Sequence, residues 1–295
     1  MSVLIVARNQ ADATRRTLAS LQPPGGDSAS EVLVVDNAST DGGAALDNEF
    51  PTVKTLRMQR NFGWTRAVNV GTRTAQAEFI CLTPPGVEYP PGTLEQLVSA
   101  FRAHPEASAV APLAVDRQDT IVTRCYPLPD RQTFSQFWQT GSLGRPLPID
   151  RTAAALPVDY LTGSPILLRR QSIMAMNYLD QRFGHFWADA DLCQQIRRAG
   201  RRLLLLPKIL VTAPPHFLSI PERLDTLGAR LSADAALGAA AYLGKHQGLL
   251  AGASFHCGAA LLACLSVFRF RQPGAHAARA WRILTGQKID GSEGE

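Results

Sequence analysis

Two stretches of this chain bring acids to places where acids can do chemistry. The first, Glu31-Val-Leu-Val-Val-Asp36-Asn37-Ala-Ser39-Thr-Asp41-Gly42, is an apolar run that stops in a polar, turn-forming cluster. The second, Leu179-Asp180-Gln-Arg182-Phe-Gly-His185-Phe-Trp187-Ala-Asp189-Ala-Asp191-Leu192, sets alternating carboxylates behind an aromatic segment. An acid at the carboxyl end of a buried strand stands where open α/β sheets hold their ligands. A carboxylate just beyond an aromatic wall has the surroundings of a general base. Each acid also has a plainer reading: Asp36 and Asn37 favour turns, and Asp189 can cap a helix.

Strands and helices must position these groups, and the pattern supplies them. Val3 to Val6, Val32 to Val35, Val53 to Met58, Phe79 to Leu82 and Ala107 to Pro112 read as buried strands. Asp12 to Leu21, Thr65 to Ala75 and Thr93 to Ala103 carry helical spacing between them, and Gly43 to Phe50 reads as a weaker helix. Strands alternating with helices imply βαβ units and a mostly parallel, Rossmann-like sheet. Residues 116–158 lack clear periodicity and read as an irregular insertion beside a cleft, with a helix near Phe134 to Trp138. Leu161 to Arg169 reads as one extended segment, Asp189 to Gly200 as a helix, and Leu203 to Leu206 and Ile209 to Val211 as two short strands. The expected division is an α/β domain over 1–216 and a helical extension over 217–295.

Composition narrows the class. The chain has 295 residues, 45% of them apolar and 19% charged, which suits a folded soluble protein with ample core. Its cysteines, Cys81, Cys125, Cys193, Cys257 and Cys264, show no Cys-x-x-Cys spacing, so neither a zinc site nor a disulfide framework is indicated. Ser2 to Ala7 enters a strand without a basic leader, so a signal peptide is not expected and a cytoplasmic location is. The net charge is +5, and the last third holds Arg269, Arg271, Arg279, Arg282 and Lys288 with few acids nearby. That pattern fits either an anionic surface or a solvated tail. These cations are sparse and lack interleaved aromatics, so nucleic acid is not an expected partner.

Residues 221–285 are rich in Ala and Leu without a strand signal, and within them Gly248 to Phe268 is uncharged. Its length of about 20 residues meets the threshold for a membrane span, though Gly, Ser and His256 interrupt it. Leu250, Cys257, Leu261, Cys264, Leu265 and Phe268 fall on one stripe, so a helix packed on the domain or lying on a bilayer fits the spacing better.

Taken together, the motifs resemble the family 2 glycosyltransferases, in particular the rhamnosyltransferase-like members that build bacterial surface polysaccharides. The likeness runs over roughly residues 3–216 and implies the A-type nucleotide-sugar transferase fold. Val3-Leu-Ile-Val-Ala-Arg-Asn9 looks like the family's first strand, and Val34-Val-Asp36-Asn37-Ala-Ser-Thr-Asp41 its nucleotide-base loop. The resemblance implies that Asp36 accepts the imide N–H of uracil or thymine, with Asn9, Asn37 and Asp41 on the donor side. Arg60-Asn61-Phe-Gly63 and Asn69-Val-Gly71 are similar to a segment that feeds a helix amino terminus near the donor's ribose and diphosphate.

The third motif aligns without gaps to an aromatic, Glu-Asp-x-Asp-Leu segment, with Ala188 in the Glu place. By that likeness Asp189 deprotonates the acceptor hydroxyl, Asp191 caps the helix or orients the loop, and His185 stands beside the acceptor. Gly163-Ser164 and Arg169-Arg170 match an acceptor-side strand where Arg can meet phosphate, and His216 is offset from a family histidine. The family's divalent ion, Mg²⁺ or Mn²⁺, is held by an Asn-Pro-Asp loop, but the matching residues here are Pro84, Pro85 and Gly86. Hard cations need oxygen ligands, and Glu88 is the nearest carboxylate. The expected partners are a nucleotide-diphosphate sugar, a glycan or lipid-linked acceptor, and the inner-membrane surface. Arg60, Arg66, Arg169 and Arg170 would then neutralise the diphosphate. Loss of two family acids leaves a second expectation open, a non-catalytic relative that binds nucleotide, glycan or a partner protein.

Overall fold

The computed structural model describes residues 1–21, 31–43, 46–214, 226–267 and 273–287. The first half alternates β1 (Ser2–Ala7), α1 (Ala11–Ser20), β2 (Glu31–Asp36), α2 (Leu46–Glu49), β3 (Lys54–Arg57), α3 (Trp64–Thr74), β4 (Phe79–Thr83), α4 (Thr93–Ala103) and β5 (Ala107–Val115). The middle holds β6 (Arg124–Tyr126), α5 (Arg131–Thr140), β7 (Leu156–Val158), β8 (Tyr160–Thr162), β9 (Ile166–Arg169) and α6 (Arg170–Ala175). The chain then forms α7 (Ala188–Arg198), β10 (Arg202–Thr212) and three helices, α8 (Thr226–His246), α9 (Leu249–Ser266) and α10 (Pro273–Thr285).

Eight strands make the main sheet in the order β3-β2-β1-β4-β9-β5-β10-β7, and β6 pairs with β8 in a small second sheet. The strand runs β3, β2, β1, β4 and β5, β10 share one direction, while β9 and β7 run against it. The sheet is thus mostly parallel, as the sequence leads one to expect. Burial on both faces explains the near-continuous apolar strands. Leu4, Leu33 and Val35 point into one core layer with α3 and the carboxyl-terminal helices. Val3, Ile5 and Val34 point into the other, under α1 and α4.

Three local expectations change. The segment 161–169 is not one extended piece: it breaks after Thr162, leaving β8 in the small sheet and β9 in the main one. Gly163 permits that break, because its φ is +75° and an added Cβ would sit 2.7 Å from the carbonyl oxygen of Val122. The two short strands expected after Gly200 are a single β10 whose pairing with β5 slips between Leu206 and Leu210. The insertion at 116–158 contributes β6 and α5 to the cleft wall and β7 to the edge of the main sheet.

Helix α9 does not pack its apolar stripe on the domain, the first of the two settings expected for it. Its buried side is built of Gly252, Phe255, Ala259, Ala260, Ala263 and Ser266, whereas Leu250, Cys257, Leu261 and Leu265 face outward. Phe268, Arg269, Arg271 and Lys288 lie outside the described residues. Helices α8 and α9 add Ala233, Tyr242, Leu243, Phe255 and Ala259 to the same core layer as Leu4 and Leu33.

Candidate active site

The two acids stand at the same end of the sheet. Asp36 ends β2, Gly63 precedes α3 after β3, and Gly163 precedes the antiparallel β9, so all lie at the carboxyl edge of the parallel strands. Asp36 uses Oδ1 to accept the Ser39 N–H at 2.8 Å, and its Oδ2 accepts no hydrogen bond from the described residues. Asn9 and Asp41 brace this loop from opposite sides. Asn9 accepts the Thr40 N–H at 2.8 Å and donates its own N–H to Ser39 Oγ at 3.0 Å, while Asp41 accepts the Ala11 N–H at 2.8 Å.

Behind Asp36 runs a buried polar strip. Asn37 donates to Asn61 Oδ1 at 2.8 Å and accepts the Phe62 N–H at 2.9 Å, and Asn61 also accepts the Gly63 N–H at 3.0 Å. In the first turn of α3, Thr65 donates from Oγ1 to the Gly184 carbonyl at 2.8 Å, next to His185. These bonds fix the nucleotide-loop candidate and the aromatic segment in one frame. They also occupy part of the α3 amino terminus, since the Thr65 N–H points to Gly184 O at 3.4 Å. Arg60 and Arg66 stack on the Phe62 ring, 4.8 and 5.0 Å from its centroid, which holds two exposed cations beside that terminus.

Asp189 lies across the edge in a cleft of about 220 Å³. Gly163, His185, Phe186, Trp187 and Tyr160 line the cleft with Asp189, as do Arg124, Tyr126 and Phe137. Asp36 does not open into it. With Ser39 and Asp41 it lines a recess of about 10 Å³, room for little more than one water. The two acids therefore open into separate recesses, which the buried Asn37–Asn61 strip and the Thr65–Gly184 bond hold in one framework.

Trp187 shapes the approach to Asp189. Its φ of +73° places a bulky residue in the left-handed region, which costs about 1–2 kcal/mol. Packing holds it there: Nε1 donates to Ala235 O at 2.8 Å, and Phe134 and Phe137 meet the indole edge-on at 4.8 and 4.7 Å. The chain reverses at this point, and α7 begins at the buried Ala188. Asp189 accepts the Ala190 N–H at 2.8 Å and the Tyr160 hydroxyl at 3.0 Å. Burial pushes its carboxyl above the usual aspartate range, while those two hydrogen bonds pull the other way. A raised carboxylate is a stronger base, which suits proton abstraction from an alcohol. Burial likewise lowers His185, opposed by Asp234 and reinforced by Arg8, so its imidazole is neutral at pH 7.

Other expected site residues lie elsewhere. Arg169 is corrected: β9 runs antiparallel, so its last residue pairs with Phe79 at the amino end of β4. There its guanidinium stacks on Phe101 at 4.6 Å and meets Glu78 at 3.6 Å, and Arg170 follows it away from the cleft. Asn69 is buried within α3, with both ends of its amide on Leu179: Nδ2 donates to the carbonyl at 2.7 Å and Oδ1 accepts the N–H at 2.9 Å. It holds the aromatic segment rather than facing a donor. Asp191 is fully buried and binds Lys245, His246 and Gln195 at 2.8, 2.7 and 2.8 Å, tying α7 to the end of α8. His216 lies outside the described residues.

The loop expected to hold a divalent ion does not fit one. Gly86 donates its N–H to Thr17 Oγ1 at 2.8 Å and has a φ of +93°. A Cβ there would lie 3.1 Å from Pro214 Cγ and 3.7 Å from Ala13 Cβ, so the position is filled as well as bare of oxygen ligands. Glu88 pairs with Arg117 at 3.0 Å, and its backbone bridges to Thr212. Among the described residues no group of three His, Cys, Asp or Glu is placed to hold a metal ion. Sequence reading missed Tyr160, Arg124 and Arg8. The break at Gly163-Ser164-Pro165 marks the turn that carries Tyr160 to Asp189, but nothing local reports the pairing.

Residues 2–146 match the model of glycosyl transferase family 2, and that stretch is a domain of this family. Over 195 residues the chain is 26% identical to N-acetylglucosaminyl-diphospho-decaprenol L-rhamnosyltransferase of Mycobacterium tuberculosis. The match takes in 60% of this chain and 64% of that relative, so it spans less than two thirds of the relative's length. A mannosyltransferase, PcManGT from Pyrobaculum calidifontis in complex with GDP-Man and Mn²⁺, superposes with a TM-score of 0.53 at 18% identity, over 97% of this chain and 87% of that one. GalNAc-T7 with UDP, GalNAc and Mn²⁺ superposes at 0.55 with 15% identity, over 78% of this chain and 46% of that one. Such identities carry the fold, which is that of glycosyltransferases. Both structures hold Mn²⁺, so a divalent ion is usual among such proteins.

Proposed function

We propose that the protein is an inverting glycosyltransferase of the hexosyl type. It moves a sugar from a dTDP- or UDP-sugar to a glycan or lipid-linked acceptor in surface-polysaccharide synthesis. Residues 1–216 are assigned to donor and acceptor binding, and 217–295 to a helical extension at the cytoplasmic face of the inner membrane. The observation that carries the reading is Asp189 in an aromatic cleft, raised by burial and braced by Tyr160, in one frame with Asp36. The relative's name supports a lipid-linked acceptor, since it acts on an N-acetylglucosaminyl-diphospho-decaprenol.

In this reading Asp36 Oδ2 accepts the pyrimidine N3–H, because an ionised carboxylate is an acceptor only. The diphosphate lies between the two recesses, where Arg60 and Arg66 flank the start of α3 and Arg8 and Arg124 approach from the cleft side. Asp189 takes the acceptor's hydroxyl proton as that oxygen bonds to the anomeric carbon. The bond from that carbon to the diphosphate oxygen breaks on the opposite face, and the nucleoside diphosphate leaves with the electron pair. No step requires a metal ion, for the Gly86 loop offers no ligand to one.

A second reading, a nucleotide- or glycan-binding relative without turnover, draws on Gly86 and Ala188, which stand where the family carries acids. Calorimetric titration with UDP and dTDP, with and without Mn²⁺, together with a donor-turnover assay, separates the two. For the transferase, Asp36→Ala weakens nucleotide binding by about 10- to 100-fold, the loss of one charge-assisted hydrogen bond. Asp189→Ala keeps binding and loses turnover. Tight binding without wild-type turnover on any donor favours the second reading, and absence of nucleotide binding removes both.

A further inference from the structure

We infer that the outward faces of α9 and α10 form a docking surface for an anionic lipid bilayer, placing the Asp189 cleft at the membrane. The inference rests on the lipid-linked acceptor proposed above and identifies the surface that would serve it.

Helix α9 is built inside out. In water, burial favours large apolar side chains over small ones, since each buried CH₂ contributes about 0.8 kcal/mol. Here glycines, alanines and a serine face the protein, while Leu250, Leu261 and Leu265 stand 86%, 61% and 56% exposed. Helix α10 repeats the arrangement with Trp281 and Leu284, exposed by 64% and 58%. The helices lie side by side in opposite directions, with His256 against Ile283 O at 2.8 Å and Arg279 on Ser266 Oγ at 2.7 Å. Small residues let α9 approach α8 closely, which is why the leucines face away.

Charge selects the occupant. Residues 235–289 contain no Asp or Glu. Of their cations Lys245 is taken up by Asp180 and Asp191 and Arg282 is buried, which leaves the part-exposed Arg279 of α10, and the sequence adds Arg269, Arg271 and Lys288 just before and after that helix. Apolar side chains with an exposed tryptophan and acid-free basic surroundings match the boundary of an anionic leaflet. Helix α9 is 18 residues long and apolar enough to cross a membrane, but α8 and α10 cover one side of it, so the surface fits a bilayer lying against the other.

The surface also sits beside the cleft. Helix α5 is shared: Phe137 lines the cleft, the neighbouring Trp138 lies 5.3 Å beneath Arg279 of α10, and Arg131 donates to Ser254 of α9 at 3.1 Å. A lipid-linked acceptor could therefore keep its chain in the leaflet while its head group reaches Asp189.

The test is vesicle sedimentation of the full chain with phosphatidylglycerol–phosphatidylethanolamine vesicles, against pure phosphatidylcholine and against high salt. Wild type is expected to sediment with the anionic vesicles, and Leu250→Ser/Leu261→Ser/Leu265→Ser to partition at least about tenfold less. Trp281 emission should shift to the blue on vesicle addition, and the shift should vanish in Trp281→Phe. UDP and dTDP titrations and thermal melts of the variants should match wild type, because the altered side chains are exposed. Wild type that stays in solution, or a triple leucine variant that partitions equally, overturns the inference. So does a dimer in ultracentrifugation that the leucine variant dissociates while wild type ignores vesicles, for the face would then bind a second copy. Vesicle binding with neither nucleotide binding nor turnover would instead remove the transferase reading and leave the surface standing.

Discussion

The Tyr160 hydroxyl reaches Asp189 Oδ2 at 3.0 Å from a strand of the small second sheet, and so ties the candidate base to the insertion that walls the cleft. A donor on a carboxylate favours its ionised form, and burial opposes it. Removing the hydroxyl leaves burial less opposed. Tyr160→Phe should therefore raise the Asp189 pKa further and move the acid limb of kcat/KM to higher pH. A pH–rate profile with the acid limb unmoved would separate Tyr160 from the base.

The same raised carboxyl predicts a conflict between stability and turnover. An aspartate whose folded pKa exceeds its unfolded value binds its proton more tightly when folded. Its favourable contribution is present below the unfolded pKa and is lost as pH rises through the folded one. At pH 7, above the unfolded pKa, the buried carboxyl of Asp189 thus opposes folding, and Asp189→Asn should melt at a higher temperature than wild type. Turnover should fall by about 10²- to 10⁴-fold, the usual contribution of a positioned base. Calorimetric melts at pH 7 and pH 4 check the sign, because the gain should shrink at the lower pH.

What could be read from the sequence was whatever local patterning dictates. The apolar runs of β1, β2, β4 and β5 end in turn-forming residues, and α4 was bounded at Thr93–Ala103 by its spacing. Placing Asp36 at a strand end needed nothing more. Pairings over long sequence separations were not legible. Nothing near Asp191 announces Lys245 and His246, and nothing near Leu179 announces Asn69. The reversal of β9 escaped because direction is set by sheet assembly, and Arg169 went to the wrong end with it. The outward stripe of α9 had the right spacing, but periodicity alone does not say which side faces the protein.

The closed Gly86 loop predicts indifference to metal. Turnover should survive EDTA and gain nothing from added Mn²⁺. Restoring an acid should fail to restore a site: Gly86→Asp meets Pro214 and adopts a φ of +93° that costs a non-glycine residue about 1–2 kcal/mol. A lower melting temperature without Mn²⁺ dependence is the expected result. Activity abolished by EDTA and restored by Mn²⁺ would sink the metal-free mechanism.

Asn69 gives the sharpest contrast between the family likeness and this fold. As a donor ligand, its loss would raise the nucleotide Kd and leave the melting temperature nearly unchanged. As the clamp on Leu179, its loss strands a buried N–H and a buried C=O, each at about 1–3 kcal/mol. Asn69→Ala should therefore destabilise the protein by about 2–6 kcal/mol in urea titrations. Below its unfolding transition, UDP or dTDP affinity should stay near wild type. Turnover should drop more than affinity, since Leu179 opens the segment that ends in Trp187 and Asp189, and a loosened segment misplaces the base.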